Sequence, residues 1–147
     1  MIGSIVVGTD GSETAGEAVR QATDLAKAVG ADLHLVSAYE PVRTQQLREE
    51  RQQVPPDAEW MVNPREDVDA TLRAAADGIG DSGVDVSTHA LEGDAADAIL
   101  DIAEEQNAGL IVVGNKGMSG AKRFLLGSVP NKISHHAPCS VMIIRTT

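Results

Sequence analysis

The chain has 147 residues, a length that fits one domain with a single substantial hydrophobic core. Its formal net charge of −10 argues against unspecific binding to nucleic acid or to anionic membranes, because both need a basic protein surface. Aromatic residues make up only 2% of the chain, so we expect residues 1–147 to form one domain whose core is aliphatic.

The first 63 residues predict a strand, a helix and a second strand, followed by a segment of a different kind. A β-branched run at 2–7 ends in the turn residues 8–12, where Asp and Ser are good helix N-caps. Apolar residues then recur at helical spacing until Gly30, which supplies the stop, and residues 31–38 form the second strand. Residues 39–63 are rich in Gln and Arg and contain three prolines. We expect them to form a partly helical, mobile cover over the strand ends.

The remaining chain continues the alternation of strands and helices. Helices are predicted at 64–80 and at 93–103. Between them, apolar and polar residues alternate at 84–91, which predicts a strand whose more solvent-exposed face indicates a sheet edge. A short helix that starts at Ser128 and a last strand at 140–145 follow the fourth strand.

Five strands alternating with four helices predict the fold class. This pattern implies an α/β fold with an open parallel sheet, helices on both faces and right-handed crossovers. In such sheets the ligand lies beyond the carboxyl ends of the strands, at the point where the strand order reverses. If the order is 3-2-1-4-5, the first and fourth strands flank that crevice, and their ends carry Thr9, Asp10 and Gly114.

The most informative stretch begins at the fourth strand. A bare apolar run at 110–113, short enough for a strand buried on both faces, breaks at Gly114 and Gly117, and Gly127-Ser128 then opens a helix. Glycines let backbone N–H groups approach a phosphate, and a helix N-terminus adds free N–H donors and a partial positive charge. The chain has no GxxxxGK[ST] motif and no GxGxxG after a strand. The strand, the glycines and the helix start therefore predict an anion site of another type.

Charge is distributed unevenly along the chain. Residues 1–105 carry a formal charge of −15, whereas residues 106–147 carry +5 and contain no acidic residue. One interpretation is chance combined with solvated helix faces, and the other is an anionic ligand held by the C-terminal third. Lys116 or Arg123 would supply positive charge to such a ligand, and Ser128 a hydroxyl and a backbone N–H.

The glycine spacing G-2x-G-9x-G-S after a VVG strand, together with V-G-T-D-G-S after the first strand, resembles the universal stress protein family. The resemblance is to the ATP-binding branch and covers essentially the whole chain. It implies a flavodoxin-like, Rossmann-like sheet of five strands. It also implies that the ligand is ATP or another adenine nucleotide such as cyclic AMP, bound with Mg²⁺, and that a homodimer forms through the C-terminal strand.

The resemblance also implies roles for individual residues. Thr9 and Asp10 border the adenosine and the metal side of the ligand, and Ala38 offers backbone contacts to adenine. The ribose and the phosphates are implied to contact the glycine loop: Gly114, Lys116, Gly117, Gly127, Ser128 and Val129. From the residues alone, Asp10 is equally compatible with a plain N-cap of the first helix and with a ribose or Mg²⁺ contact.

Three functions remain open at this point. The leading hypothesis is a nucleotide-binding stress or signalling protein whose nucleotide state biases a dimer or a partner. An ATPase needs a positioned base and a charge clamp; Asp10 is the one candidate base, so we expect slow hydrolysis at most. The third hypothesis is a dimeric interaction module without a ligand, in which the glycines serve only turns.

Other features exclude further classes of protein. The pair His135-His136 has no third ligand at metal spacing and is typical of a helix end rather than a metal site. The first residues, MIGSIVV, have no basic segment and too short an apolar run for a signal peptide, and no run approaches membrane-spanning length. We therefore expect a cytoplasmic protein without a membrane or nucleic-acid partner.

Overall fold

The computed structural model describes residues 2–39, 64–80, 82–115 and 127–145. In this part of the chain, strands and helices alternate as the sequence predicts, with ends that differ by one or two residues. The elements are β1 (Ser4–Gly8), α1 (Glu13–Val29), β2 (Asp32–Tyr39), α2 (Pro64–Ile79), β3 (Val86–Glu92), α3 (Ala95–Glu105), β4 (Leu110–Gly114), α4 (Ser128–His136) and β5 (Ser140–Ile144). The predicted cover at 39–63 lies outside the described residues, apart from Tyr39 at the end of β2.

The five strands form one parallel sheet in the order β3-β2-β1-β4-β5, which confirms the predicted order 3-2-1-4-5. In the central strand, Ile5 lies beside Leu33 of β2 on one side and Leu110 of β4 on the other. The chain leaves β1 toward β2 and returns to β4 on the opposite side, so the order reverses between β1 and β4. Their carboxyl ends therefore flank a crevice, as expected for an open α/β sheet.

The sheet is covered on both faces because successive strand residues point to opposite sides. Ile5 and Val7 pack into the apolar layer under α1 and α2, whereas Val6, between them, packs into the layer under α3 and α4. The strand β4 divides in the same way, with Val112 in the first layer and Val113 in the second. This confirms that the apolar run at 110–113 is buried on both faces. In the described part of the chain, no helix combines the length and the apolar composition needed to cross a bilayer.

The two ends of α1 are fixed by residues that the sequence singled out. Ser12 is the N-cap, and its hydroxyl accepts a hydrogen bond of 3.2 Å from the Ala15 amide. The interpretation of Asp10 as the N-cap is therefore wrong, since its carboxylate instead accepts a bond of 2.9 Å from the Ser12 amide. At the other end Gly30 takes the left-handed conformation with φ 71°, and its amide bonds to the Ala26 carbonyl.

A pair of histidines joins β2 to β3 under α3, an arrangement that the sequence did not indicate. The Nδ1 atom of the buried His34 lies 3.0 Å from Nε2 of His89. At least one of the rings must be unprotonated, because two protonated imidazoles have no acceptor. Burial, followed by the charge of His34, lowers the pKa of His89, while Glu105 acts in the opposite direction.

Alanine at the glycine inside α1 and at the glycine that ends α1 is expected to change stability in opposite directions. Gly30→Ala should destabilise the fold by about 1 kcal/mol, because an alanine there is held in the left-handed region. Gly16→Ala should stabilise it by roughly 0.5–1 kcal/mol, because Gly16 lies inside α1 and an added Cβ meets nothing within 4 Å. Urea unfolding of both variants measures the difference; shifts of the same sign would contradict this account of the helix ends.

The histidine pair predicts a loss of stability on mild acidification. Since the pKa of His89 is lower in the folded protein than in the unfolded chain, the unfolded chain takes up a proton first. Stability should be full above about pH 6.5 and should decrease as the pH falls from there toward the folded-state pKa. Thermal unfolding measured from about pH 8 to about pH 5, which covers the range in which histidine titrates, tests this pH dependence of stability. His89→Gln should flatten the profile, whereas the same change at the exposed His136 should leave it steep.

Candidate functional site

A cavity opens beyond the carboxyl ends of β1 and β4, where the strand order reverses. Its walls come from the ends of β1, β2 and β4 and from the starts of α1, α3 and α4. Five of the nine residues predicted for the site line it: Thr9, Asp10, Ala38, Gly114 and Val129. Gly127 and Ser128 immediately precede Val129 at the start of α4. Lys116 and Gly117 lie outside the described residues.

Main-chain hydrogen bonds fix the beginning of α4 against the end of β4. The buried Gly127 donates its N–H to the Asn115 carbonyl over 3.0 Å, and Asn115 donates its own N–H to the Ile144 carbonyl over 2.9 Å. The ends of β4 and β5 and the start of α4 are thereby tied together. The Gly127 amide is thus engaged in the protein's own main-chain contact.

The first turn of α4 presents main-chain donors beside the cavity. Its N-cap residue is Gly127, so no side chain caps the helix start. The first amide to bond back within this helix is that of Asn131, which donates to the Gly127 carbonyl over 3.1 Å. The preceding amides, of Ser128 and Val129, have no carbonyl of the helix to reach, and Pro130 has no N–H. These two N–H groups and the positive end of the helix dipole are suited to an anion.

The opposite wall is built by the turn after β1. Thr9 is buried; its N–H donates to the Val36 carbonyl over 2.9 Å and its Oγ1 accepts from the Gly11 amide over 3.2 Å. The exposed Asp10 is held by the Ser12 amide. Among the described residues that line the cavity, Asp10 alone has an ionisable side chain. No group of three or more His, Cys, Asp or Glu residues that could hold a metal occurs in the described chain.

The inner part of the cavity is apolar and includes residues that the sequence did not assign to the site. Val36, Ile99 and Pro130 line it, although their chain positions are far apart. Gly8 lies at the same place, and a Cβ built on it would be 2.4 Å from Cδ1 of Ile99. A glycine at the end of β1 therefore lets α3 approach the sheet. The one sequence signal for this close approach of α3 was the glycine at the end of the first strand, and that glycine predicted only a turn.

Comparison with known proteins gives the same picture along the whole chain. The model of the universal stress protein family matches residues 1–145. Universal stress protein Rv1636 of Mycobacterium tuberculosis is 35% identical over 147 residues, which cover 98% of this chain and 97% of that protein.

Two similar solved structures contain an adenine nucleotide. A universal stress protein in complex with cAMP is 33% identical, with a TM-score of 0.72 over 99% of this chain and 98% of that one. The universal stress protein from Archaeoglobus fulgidus in complex with dAMP is 26% identical, with a TM-score of 0.67 over 98% of this chain and 99% of that one.

Proposed function

Because this chain belongs to the universal stress protein family, we propose that it binds an adenine nucleotide in the cavity between the ends of β1 and β4. The observation that carries the proposal is the uncapped start of α4, where the Ser128 and Val129 amides lie beside the cavity without a helical acceptor. The complexes of similar proteins with cAMP and with dAMP support the same ligand class.

The two parts of a nucleotide match the two parts of the cavity. The apolar inner part, with Val36, Ala38 and Ile99, suits the flat adenine ring, and the start of α4 suits the phosphate. We propose ATP as the main ligand, with Lys116 and Gly117 extending the phosphate contacts. Cyclic AMP is the second candidate, favoured by its presence in a similar protein at 33% identity.

Magnesium fits this arrangement through the nucleotide rather than through a protein cage. Mg²⁺ is usually held by one or two carboxylates together with substrate phosphates and water. Asp10 offers one carboxylate at the cavity wall. We propose that Asp10 contacts a Mg²⁺ ion brought in on the phosphates of ATP, where the ion would neutralise phosphate charge.

A regulatory role suits this cavity better than rapid catalysis. Fast phosphoryl transfer needs a positioned base and a clamp of charges around the transferred group. The one ionisable side chain among the described cavity residues, Asp10, already accepts a hydrogen bond from the Ser12 amide. We propose a cytoplasmic stress or signalling protein that responds to nucleotide binding and hydrolyses ATP slowly at most.

The proposed phosphate contact can be tested at Gly127. Gly127→Leu should weaken binding of ATP and of cyclic AMP at least about tenfold, because the side chain covers the amides at the start of α4. Gly3→Leu is the matched control, since Gly3 is exposed and nothing lies within 4 Å of an added Cβ. Isothermal titration calorimetry gives the affinities, and circular dichroism shows whether each variant is folded. Equal affinities of a folded Gly127→Leu protein and the control would refute the site.

The outer edge of β5 suggests how the protein assembles. In the described chain β5 pairs with β4 alone, and Met142 in the middle of β5 is 39% exposed. An unpaired strand edge with apolar side chains is a template for pairing with another strand. We propose that two copies form a homodimer through β5, and that nucleotide binding biases this dimer.

A charge on β5 is expected to weaken the dimer. Met142→Lys should raise the dissociation constant of the dimer about tenfold or more, because the lysine would be buried at the interface and would face the same lysine of the other copy. Val29→Lys is the control, since Val29 is exposed to a similar degree, 37%, but lies at the end of α1. Light scattering coupled to size-exclusion chromatography measures the masses over a dilution series. The proposal fails if both variants behave alike.

A further inference from the structure

Two helix starts meet at the candidate site, and they differ in charge. The first residue of α3, Ala95, and the first turn of α4, with Val129 and Pro130, line the same cavity. The N-cap of α3 is Asp94, whose carboxylate accepts a bond of 3.1 Å from the Asp97 amide. Asp97 adds a second carboxylate in the same turn. The start of α4 has no acidic residue in its first turn.

These carboxylates lie close enough to the cavity to act on an anion inside it. A helix rises 1.5 Å per residue, so Asp94 and Asp97 lie within about 5 Å of Ala95 along the helix axis. Charges interact over a Debye length of about 8–10 Å at physiological salt. Two unbalanced negative charges at this distance would repel the phosphate that the start of α4 attracts.

Lys132 of α4 offsets one of these two charges. Its Nζ atom lies 2.8 Å from Oδ1 of Asp97 and 3.3 Å from Oδ2 of Asp94. The Asp97 amide, and then Lys132, lower the pKa of Asp94, so this carboxylate stays ionised. Lys132 lies one helix turn beyond Ser128 and Val129, on the same side of α4. The positive charge therefore lies at the start of α3 and comes from the side of α4 that carries Ser128 and Val129.

The contribution of these ion pairs to the stability of the fold is small. All three side chains are about half exposed, with 43% for Lys132, 53% for Asp94 and 58% for Asp97. Exposed pairs of this kind stabilise proteins by about 0–1 kcal/mol. The position of α4 is fixed by other contacts, among them the fully buried Ile133. A charge effect on the ligand is thus separable from an effect on folding.

We propose that Lys132 is a specificity-determining residue of the site: it offsets one of the two negative charges of the α3 aspartates and so sets how strongly the site discriminates between anionic and uncharged adenine ligands. This inference rests on the proposed adenine-nucleotide function. Lys132 acts through the charge of this cluster and does not touch the ligand. Its effect grows with the negative charge of the ligand and decreases with salt.

The test compares adenosine, AMP and ATP on the same variants. At low salt, Lys132→Gln should weaken the binding of ATP about tenfold and the binding of AMP about threefold. The binding of adenosine should weaken by less than about twofold. At about 500 mM salt the three losses should converge. Lys27→Gln removes the same charge from the last turn of α1 and is the control, with an expected change below about twofold for every ligand.

A second variant separates charge from structure. Asp97→Asn combined with Lys132→Gln restores the charge of the cluster without restoring the ion pair, so most of the lost ATP affinity should return. Calorimetry on folded protein gives each affinity. The role of Lys132 would be overturned if Lys132→Gln lost equal affinity for adenosine and for ATP, or if the double variant bound ATP as weakly as Lys132→Gln does. A wild-type protein that binds none of the three ligands refutes the proposed function itself, and the role of Lys132 with it.

Discussion

The hydrogen bond from the Gly127 amide to the Asn115 carbonyl is the contact on which the candidate site depends. It brings the start of α4 back to the point where β4 ends, although eleven residues separate the two partners. Asn115 is in turn bonded to Ile144 at the end of β5. Together with the packing of the buried Ile133, this closure places the amides of Ser128 and Val129 relative to the sheet. The position of a short helix, rather than a reactive side chain, is therefore what this sheet has to provide.

Main-chain donors also make the proposed anion compatible with a chain whose net charge is −10. Charges on the far surface are screened over about 8–10 Å at physiological salt, so the overall charge matters less than the groups around the cavity. The start of α4 supplies a partial positive charge without any acidic residue in its first turn. The nearest described carboxylates on the α3 side are paired with Lys132. One basic residue of the positively charged C-terminal third, Lys132, thus lies beside the acidic start of α3.

Local signals in the sequence were sufficient for the fold and for part of the site. Gly30 ends α1 as its position predicts, and the reversal of strand order places Thr9 and Gly114 at one cavity. Asp10 was ambiguous because it lies two residues before Ser12, and both are good caps; only the backbone conformation decides between them.

Contacts between distant parts of the chain left no pattern in the sequence. Residues 94 and 132, like residues 34 and 89, are far apart in the chain and meet only in the folded structure. The approach of Ile99 to Gly8 depends in the same way on how α3 packs. Periodicity identifies which side of an element is buried, but it does not identify the partner across the core.

The same main-chain connections bear on how a bound nucleotide could influence a dimer. From Gly127 to Asn115 and on to Ile144, two hydrogen bonds lead from the start of α4 to the end of the edge strand β5. A route of this kind becomes regulation only if the nucleotide binds the monomer and the dimer with different affinity, because a ligand with equal affinity for both shifts nothing. Linkage then makes the effect reciprocal: a nucleotide that strengthens the dimer binds the dimer more tightly by the same factor.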